Sequence, residues 1–313
     1  MNDMFVVCGE ALMDVYVLGP TPTGLHLDAR IGGSPFNVAV GLARLGRPSA
    51  LLTGLSRDAA GERLMHALQA EGVDTRLVLR SDAPTTLSVV SVDAGGLPHY
   101  AFYGHGSADR AIDSARLPAL PPQVRVLQFG SYALVVEPVG SALRALAARE
   151  RDRCLVAYDP NVRLNVEPDV ARWRTMVEAM VALSHMVKVS DEDLGLLYPD
   201  SVPGEVARRW LSLGVQLVVL TRGARGSEAW TAGSHVAESA APVEVVDTVG
   251  AGDTFQAALL TWLDEQQALS VAGLAALDAQ RLAALLRFAT RVAAITCSRR
   301  GADMPRRAEL PAD

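Results

Sequence analysis

Hydrophobic positions along the chain fall into short apolar runs separated by longer stretches of helical period. Val124–Phe129, Cys154–Tyr158, Met186–Val189 and Leu217–Thr221 each have the pattern of a strand buried on both faces. Between them, Pro138–Arg151, Asp169–Leu183 and Glu205–Leu213 have the length and spacing of covering helices. Met4–Val7 adds an opening strand, and Ser34–Leu45 a helix after a Gly-Gly turn. This βαβ repetition predicts an α/β fold: a doubly wound, mostly parallel sheet with ligands at the carboxyl ends of its strands.

One region breaks the rhythm. Thr85–Asp93, then Ala94-Gly95-Gly96, then Leu97–Tyr103 has the form of a β-hairpin. Asp14 to Ile31, punctuated by Gly19-Pro20 and Gly24, supplies two more short strands. Together these predict a small sheet outside the main one: a lid formed by about residues 12–32 and 84–104, inserted in a single domain spanning residues 1–313. The polar, Pro-broken tail from Arg306 is expected to fray.

Composition narrows the classes. Half of the 313 residues are hydrophobic and a fifth charged, enough for a sizeable core. The 29 basic and 35 acidic residues give a net charge of −6, which argues against a nucleic-acid or membrane-surface binder. No run of ~18 apolar residues suggests a transmembrane helix. The acidic start Met1-Asn2-Asp3-Met4 lacks the basic charge of a secretory signal. Cys8, Cys154 and Cys297 have no C-x-x-C spacing and suit reduced thiols in a cytoplasmic protein. Six histidines form no H-x-x-x-H or H-x-E pair, so zinc has little support. Lys188 is the only lysine, and it lies in neither a Walker A loop nor a Val-Ala-Ile-Lys strand, so two common ways of gripping ATP are missing.

The most informative stretch is Val245-Val246-Asp247-Thr248-Val249-Gly250-Ala251-Gly252-Asp253-Thr254-Phe255. Phe255, Leu259, Trp262 and Leu263 keep helical spacing after it, so a helix begins within 250–253. Two glycines and an alanine leave the backbone N–H groups bare there, a ready anion site. Asp253 lies in the same first turn. A carboxylate beside a phosphate cradle makes sense if it takes a proton from an attacking hydroxyl while the cradle holds developing phosphoryl charge. An ordinary helix cap is the alternative. A second stretch, Ile31-Gly32-Gly33-Ser34-Pro35-Phe36-Asn37-Val38-Ala39, turns tightly at Gly-Gly and starts a helix at Ser34-Pro35. Asn37, one turn in, can bond sugar hydroxyls as donor and acceptor, or simply face solvent.

These two stretches resemble the two signatures of the PfkB, or ribokinase-like, carbohydrate kinases, and the resemblance runs from about Phe5 to Pro305. It implies a doubly wound sheet with a small β-lid, and transfer of the ATP γ-phosphoryl to a sugar or nucleoside hydroxyl with Mg²⁺. Carried over by position, Asp253 is similar to the family's catalytic base, and Gly250, Ala251 and Gly252 to its anion hole. Asp14, Gly33 and Asn37 are similar to residues that hold substrate hydroxyls, and Asp14 suits that role as a pure acceptor at a strand end. Thr221-Arg222-Gly223-Ala224-Arg225-Gly226 resembles the nucleotide-binding loop; without the match it has the look of an ordinary turn. Lys188-Val189-Ser190-Asp191-Glu192-Asp193 falls where many members carry an Asn-x-x-Glu element linked to Mg²⁺ and phosphate. Ser190 and Asp193 replace Asn and Glu, and a hard cation still meets the Asp193 carboxylate through water. Asp247, Val249, Arg299 and Gly301 resemble positions lining a monovalent-cation (K⁺) site, mostly through carbonyls.

For the acceptor, Asp159-Pro160-Asn161-Val162-Arg163 resembles the strand-end motif of fructokinases and 2-keto-3-deoxygluconate kinases. Arg163 can bind a carboxylate bidentately, or pair with a phosphate or a nearby acid. The stretch from Tyr100 to Arg110 and that from Ile295 to Asp303 also resemble fructokinases. Sugar-acid kinases tend to carry a second arginine where this chain has Gly104, so a neutral hexose, fructose, is the favoured substrate. Phe102 and Tyr103 then contribute lid contacts, or pack as plain hairpin residues. A 2-keto-3-deoxygluconate kinase or another sugar or nucleoside kinase is the alternative. An inactive sugar or nucleotide sensor is the different-class alternative, its only support being Ser190 and Asp193. No Gly-x-Gly-x-x-Gly follows the first strand, which disfavours a nicotinamide oxidoreductase. The lid's edge strands invite a two-fold homodimer.

Overall fold

Strands of doubly covered sheets are apolar throughout, and the helices between them start where an acidic side chain can cap free N–H groups. The computed structural model describes residues 3–92 and 98–310. Strand β1 (Met4–Cys8) leads into β2 (Leu12–Thr21) and β3 (Gly24–Gly32), and helix α1 (Ser34–Arg44) follows. Next come β4 (Ser49–Ser56), α2 (Ala59–Ala70), β5 (Val78–Ser81), β6 (Leu87–Val92) and β7 (Pro98–Tyr103). The βα rhythm continues through β8 (Val124–Gly130), α3 (Val139–Glu150), β9 (Leu155–Asp159), α4 (Val170–Val181) and β10 (Met186–Ser190). After α5 (Asp191–Leu197) and α6 (Pro203–Ser212) come β11 (Leu217–Thr221), β12 (Ser227–Trp230) and β13 (His235–Glu238). Helices α7 (Ala251–Glu265), α8 (Val271–Ala275) and α9 (Ala279–Cys297) complete the order.

The main sheet has nine strands in the order β13-β12-β11-β10-β9-β8-β1-β4-β5. Its pairs are parallel from β11 to β5, and β12 and β13 add an antiparallel edge. Alternation along each strand feeds two cores. Leu155 and Ala157 of β9 join α1, α7 and α9 on one face, whereas Val156 and Tyr158 join α3, α4 and α6 on the other. Acidic caps set several helix starts: Asp58 accepts from Gly61 N (2.7 Å), Asp169 from Ala171 N (2.8 Å) and Asp278 from Arg281 N (2.8 Å). This is the doubly wound, mostly parallel architecture that the sequence predicts. Among the described residues no helix is long and apolar enough to cross a membrane.

A separate four-stranded sheet has the order β3-β2-β6-β7. The hairpin arms β6 and β7 fall as expected, while the Ala94-Gly95-Gly96 turn lies outside the described residues. Two expectations need correction. Strands β2 and β3 are long, at 10 and 9 residues, because Gly19 marks a register shift inside β2 rather than a strand end. The tail from Arg306 is held rather than frayed: Arg306 pairs with Glu71 (2.9 Å), Arg307 with Glu265 (3.3 Å) and Arg299 with Glu309 (2.5 Å).

Candidate active site

Strand order reverses between β1 and β8, so the loops leaving their carboxyl ends part and open the crevice in which such sheets hold ligands. Glu10, just beyond β1, is fully buried there. Burial pushes its carboxyl up to about 8, against a hydrogen bond from Ser131.

The chain enters α7 through Gly250, whose φ of 77° only glycine adopts readily, and a Cβ there would stand 2.6 Å from that of Ala302. The Ala251 N–H is held by Thr248 O at 3.2 Å. The N–H groups of Gly250, Gly252 and Asp253 meet no acceptor among the described residues, and Gly252 is exposed. Asp253, in the same turn, is 8 % exposed. Ser34 Oγ donates to its Oδ1 (2.6 Å) and Asn37 Nδ2 to its Oδ2 (2.8 Å). Residues 34 and 37 lie one turn apart on α1, so both reach one carboxylate. Asn37 thus spends an amide donor on Asp253, and its side-chain oxygen remains able to accept.

Asp14, third in β2, is pushed up by burial against a hydrogen bond from Ser88 on the neighbouring strand. On the facing strand β3, a Cβ at Gly32, the partner of Leu12, would stand 2.2 Å from Asp14 Oδ2, so glycine makes room for the carboxylate. Gly33 follows as the N-cap of α1. Asp14, Tyr16 and Arg30 face Val249, Gly301 and Ala302 across a cavity of about 490 Å³. Arg163 is exposed and carries its charge near Glu10, Asp14 and Asp193. Phe102 is packed edge-on against Tyr132, with ring centroids 5.2 Å apart and Arg110 over both rings, while Tyr103 points to solvent. Arg110 also fills the space beside Gly104, its Nη2 standing 2.9 Å from where a Cβ would be. Glycine at 104 therefore does not empty that space of positive charge.

At the ends of β10 and β11, Ser190 and Thr221 are paired in register. Ser190 Oγ accepts the Asp193 N–H (3.0 Å) and caps α5. Gly223 and Gly226 bracket the turn after β11, closed by Arg222 N to Gly226 O at 2.8 Å. Its arginines are engaged, Arg222 with Glu228 (2.5 Å) and Arg225 with Asp191, so the turn offers mainly backbone. Asp193 is buried, accepts the Val162 N–H (3.0 Å), and is pushed up by burial against the charges of Lys188 and Arg163. Asp159 is pushed up to about 6 by burial, although Lys188 Nζ donates to its Oδ2 at 2.7 Å. Its Oδ1 is buried without a hydrogen-bond partner.

Asp247 accepts the N–H groups of Val249 (3.1 Å) and Gly301 (2.8 Å) and so ties the two loops together. Burial opposes the charge, but these backbone donors hold the carboxyl below its ordinary range. The Arg299 side chain turns away to Asp303 and Glu309. The fold thus joins Asn37 to Asp253 at the 250–253 turn and sets Arg163 near the Asp14 carboxylate, and leaves the Phe102 ring and the Arg299 guanidinium occupied elsewhere. Sequence reasoning missed Ser34, read only as a helix start, and the Asp159–Lys188 pair, whose signal was the chain's solitary lysine.

The fold is that of a ribokinase-like carbohydrate kinase. Residues 2–308 match the model of the pfkB family carbohydrate kinases. The chain belongs to the pfkB family. It is 37% identical over 279 residues to a fructokinase of Rhizobium leguminosarum bv. trifolii, covering 89% of this chain and 85% of that one. It is 31% identical to fructokinase-2 of Solanum lycopersicum, over 96% of this chain and 92% of the other. Among solved structures, a fructokinase with bound ATP from Xylella fastidiosa superposes with a TM-score of 0.88 at 26% identity, covering 99% and 97% of the two chains. A fructokinase double mutant from Vibrio cholerae O395, in fructose-, ADP- and potassium-bound form, gives 0.80 at 25% identity over 96% and 94%.

Proposed function

We propose that this kinase transfers the γ-phosphoryl of ATP to the primary hydroxyl of fructose, giving fructose 6-phosphate and ADP. The observation that carries the reading is the Asp253 carboxylate, fixed by Ser34 and Asn37 on the same helical turn as the open amides of Gly250 and Gly252. The hydroxyl oxygen attacks the γ-phosphorus in line, its proton passes to Asp253, and the bond from that phosphorus to the β,γ-bridging oxygen breaks as ADP leaves. The 250–253 amides lie where charge gathers on the transferring group. Asp14, Gly33 and the Asn37 oxygen orient the sugar; Thr221, Gly223 and Gly226 line the nucleotide through backbone, with Ser190 beside them.

Mg²⁺ fits the donor set. Asp193 offers a buried hard-oxygen carboxylate near Asp159, whose Oδ1 has no partner, although the described residues hold no cluster of three or more such ligands. Asp193 would hold the ion through water, and the ion would supply positive charge against the phosphates of ATP. A K⁺ site formed by Asp247, Val249, Arg299 and Gly301 is supported by the loops that Asp247 fastens, and turnover in K⁺ against Na⁺ tests it.

Fructose is supported by the names of the relatives. The sugar-acid reading keeps one specific observation, the placing of Arg110 beside Gly104 as a second cation besides Arg163. ADP release measured side by side with fructose, 2-keto-3-deoxygluconate, ribose and adenosine decides between them. A preference for the sugar acid overturns the substrate and leaves the mechanism standing, whereas no ADP release with any acceptor supports the sensor reading. The small sheet, in this reading, is a lid that closes over the sugar and excludes water. Its exposed Leu18, Leu25, Leu27 and Tyr100 support a homodimer through that sheet. Leu25→Glu should then shift the sedimentation coefficient to that of a monomer. Free, widely separated cysteines support a cytoplasmic location.

A further inference from the structure

We propose that Lys188 is a positioning residue for phosphoryl transfer: anchored by Asp159 beneath Gly252, its ammonium places a fixed positive charge against the amide turn that receives the transferring group. The inference rests on the kinase reading of that turn.

Strand β10 shows how the lysine arrives there. Val187 and Val189 join the core under α4 and α6, whereas Met186 and Lys188 alternate to the α7 face. Neighbouring β9 is aligned so that Ala157 lies opposite Met186 and Tyr158 opposite Val187, which brings Asp159 beside Lys188. The two side chains are 5 % and 3 % exposed and meet at 2.7 Å. Lys188 Nζ stands 3.2 Å from the point a Cβ of Gly252 would occupy, so the ammonium forms the floor of the first turn of α7.

Stability is a weak reason to keep such a pair, because well-packed apolar residues of similar volume commonly serve as well or better. Function gives a stronger one. Asp193 lies in the fields of Lys188 and the exposed Arg163, and Asp253 in that of Asp159, so the lysine is the buried positive charge among these carboxylates. A fixed cation in a low-dielectric wall stabilises charge that develops next to it far more than a solvated one does. The chain has no other lysine to do this.

A purely structural lysine would do no more than neutralise Asp159, and the test removes that need first. In the Asp159→Asn background the buried negative charge is gone while the amide oxygen can still accept from Lys188 Nζ and hold it in place, so the step from Asp159→Asn to Asp159→Asn/Lys188→Met reports the ammonium. We expect that step to lower kcat about 100-fold with little change in the KM for fructose, while Tm rises because the double variant no longer buries an unpaired ammonium. Equal turnover of the two variants overturns the proposal. A second measurement needs no substitution and stays decisive if the double variant does not fold. The enzyme labelled with ¹⁵N at lysine Nζ gives one side-chain ammonium signal. Fructose with ADP and aluminium fluoride should shift it, fructose alone should not, and a signal unmoved by the fluoride complex overturns the proposal. Asp253→Asn run in parallel separates the two ideas. If that variant still turns over, the reading of the turn has failed; if it is inactive while the lysine step costs nothing, only the inference has.

Discussion

Asp253→Asn is the sharpest perturbation available, because the structure lets it remove one property and little else. The Ser34 hydroxyl, 2.6 Å from Oδ1, still finds an oxygen. At the other end the new amide would face Asn37 Nδ2 across 2.8 Å, two donors together. Turning the Asn37 amide by a half-rotation presents its oxygen instead and restores the bond. The hydrogen-bond count is then unchanged, and stability should move by no more than about 1 kcal/mol. What is lost is the capacity to take a proton, together with the Asn37 oxygen as a sugar contact, a loss that saturating fructose keeps out of kcat. A positioned general base contributes about 10²–10⁴ in rate, so the barrier should rise by roughly 3–5 kcal/mol. A coupled ADP-release assay at saturating fructose and ATP reads kcat, calorimetry reads ATP affinity, and a melting curve reads the fold. The expected result is a kcat at least ~100-fold lower with ATP affinity and Tm held. Turnover within a few-fold of wild type would refute the assignment of the base. Collapse of Tm with the activity would instead make the carboxylate a clamp between α1 and α7.

Further perturbations follow from the same geometry. Gly250→Ala puts a Cβ 2.6 Å from that of Ala302 at a φ of 77°; it should cost about 1–3 kcal/mol, read as a lower denaturation midpoint, and slow turnover. Gly32→Ala would push a methyl to 2.2 Å from Asp14 Oδ2; the KM for sugar should rise about tenfold or more while ATP affinity is unchanged. Glu10, with an ordinary value of 4.5, is held at about 8 in the folded protein. The folded state therefore binds this proton more tightly than the unfolded chain, and the stability it contributes, full below about 4.5, is lost as pH rises through about 8. Glu10→Gln should flatten the Tm profile across that window and gain on wild type at its alkaline end; profiles that stay parallel would contradict the burial argument.

The main sheet was legible because its strands are covered on both faces and so carry uninterrupted apolar runs; β11 occupies the expected Leu217–Thr221. The small sheet was harder. Its outer residues, from Leu18 onward in β2 and through most of β3, are half-buried or exposed, so no strict alternation marks them. Gly19-Pro20 looks like a turn, yet the strand absorbs it as a register shift between Val17 and Gly19 and continues to Thr21. The tail was misjudged for a different reason. Its ion-pair partners Glu71 and Glu265 are far away in sequence, and local composition says nothing about such contacts.

The candidate site divides along the same line. The 250–253 turn and its carboxylate were readable because a helix terminus, its bare amides and Asp253 are neighbours in sequence. The partners that aim the carboxylate were not, since Ser34 and Asn37 are more than 200 residues distant and meet it only when α1 packs against α7. Lys188 lies between these cases. Consecutive βα units place β9 beside β10 and β10 beside β11, and strands of similar length ending at one crevice align their last residues. Asp159, Lys188 and Thr221 all fall in the last three positions of those strands, on the face that Ala157, Met186 and Val219 share with α7. A lone polar residue that interrupts an apolar run at the carboxyl end of a parallel strand is thus already directed toward the ligand side. The alternation rule that fixed the core also fixed which side of the sheet would carry the charge.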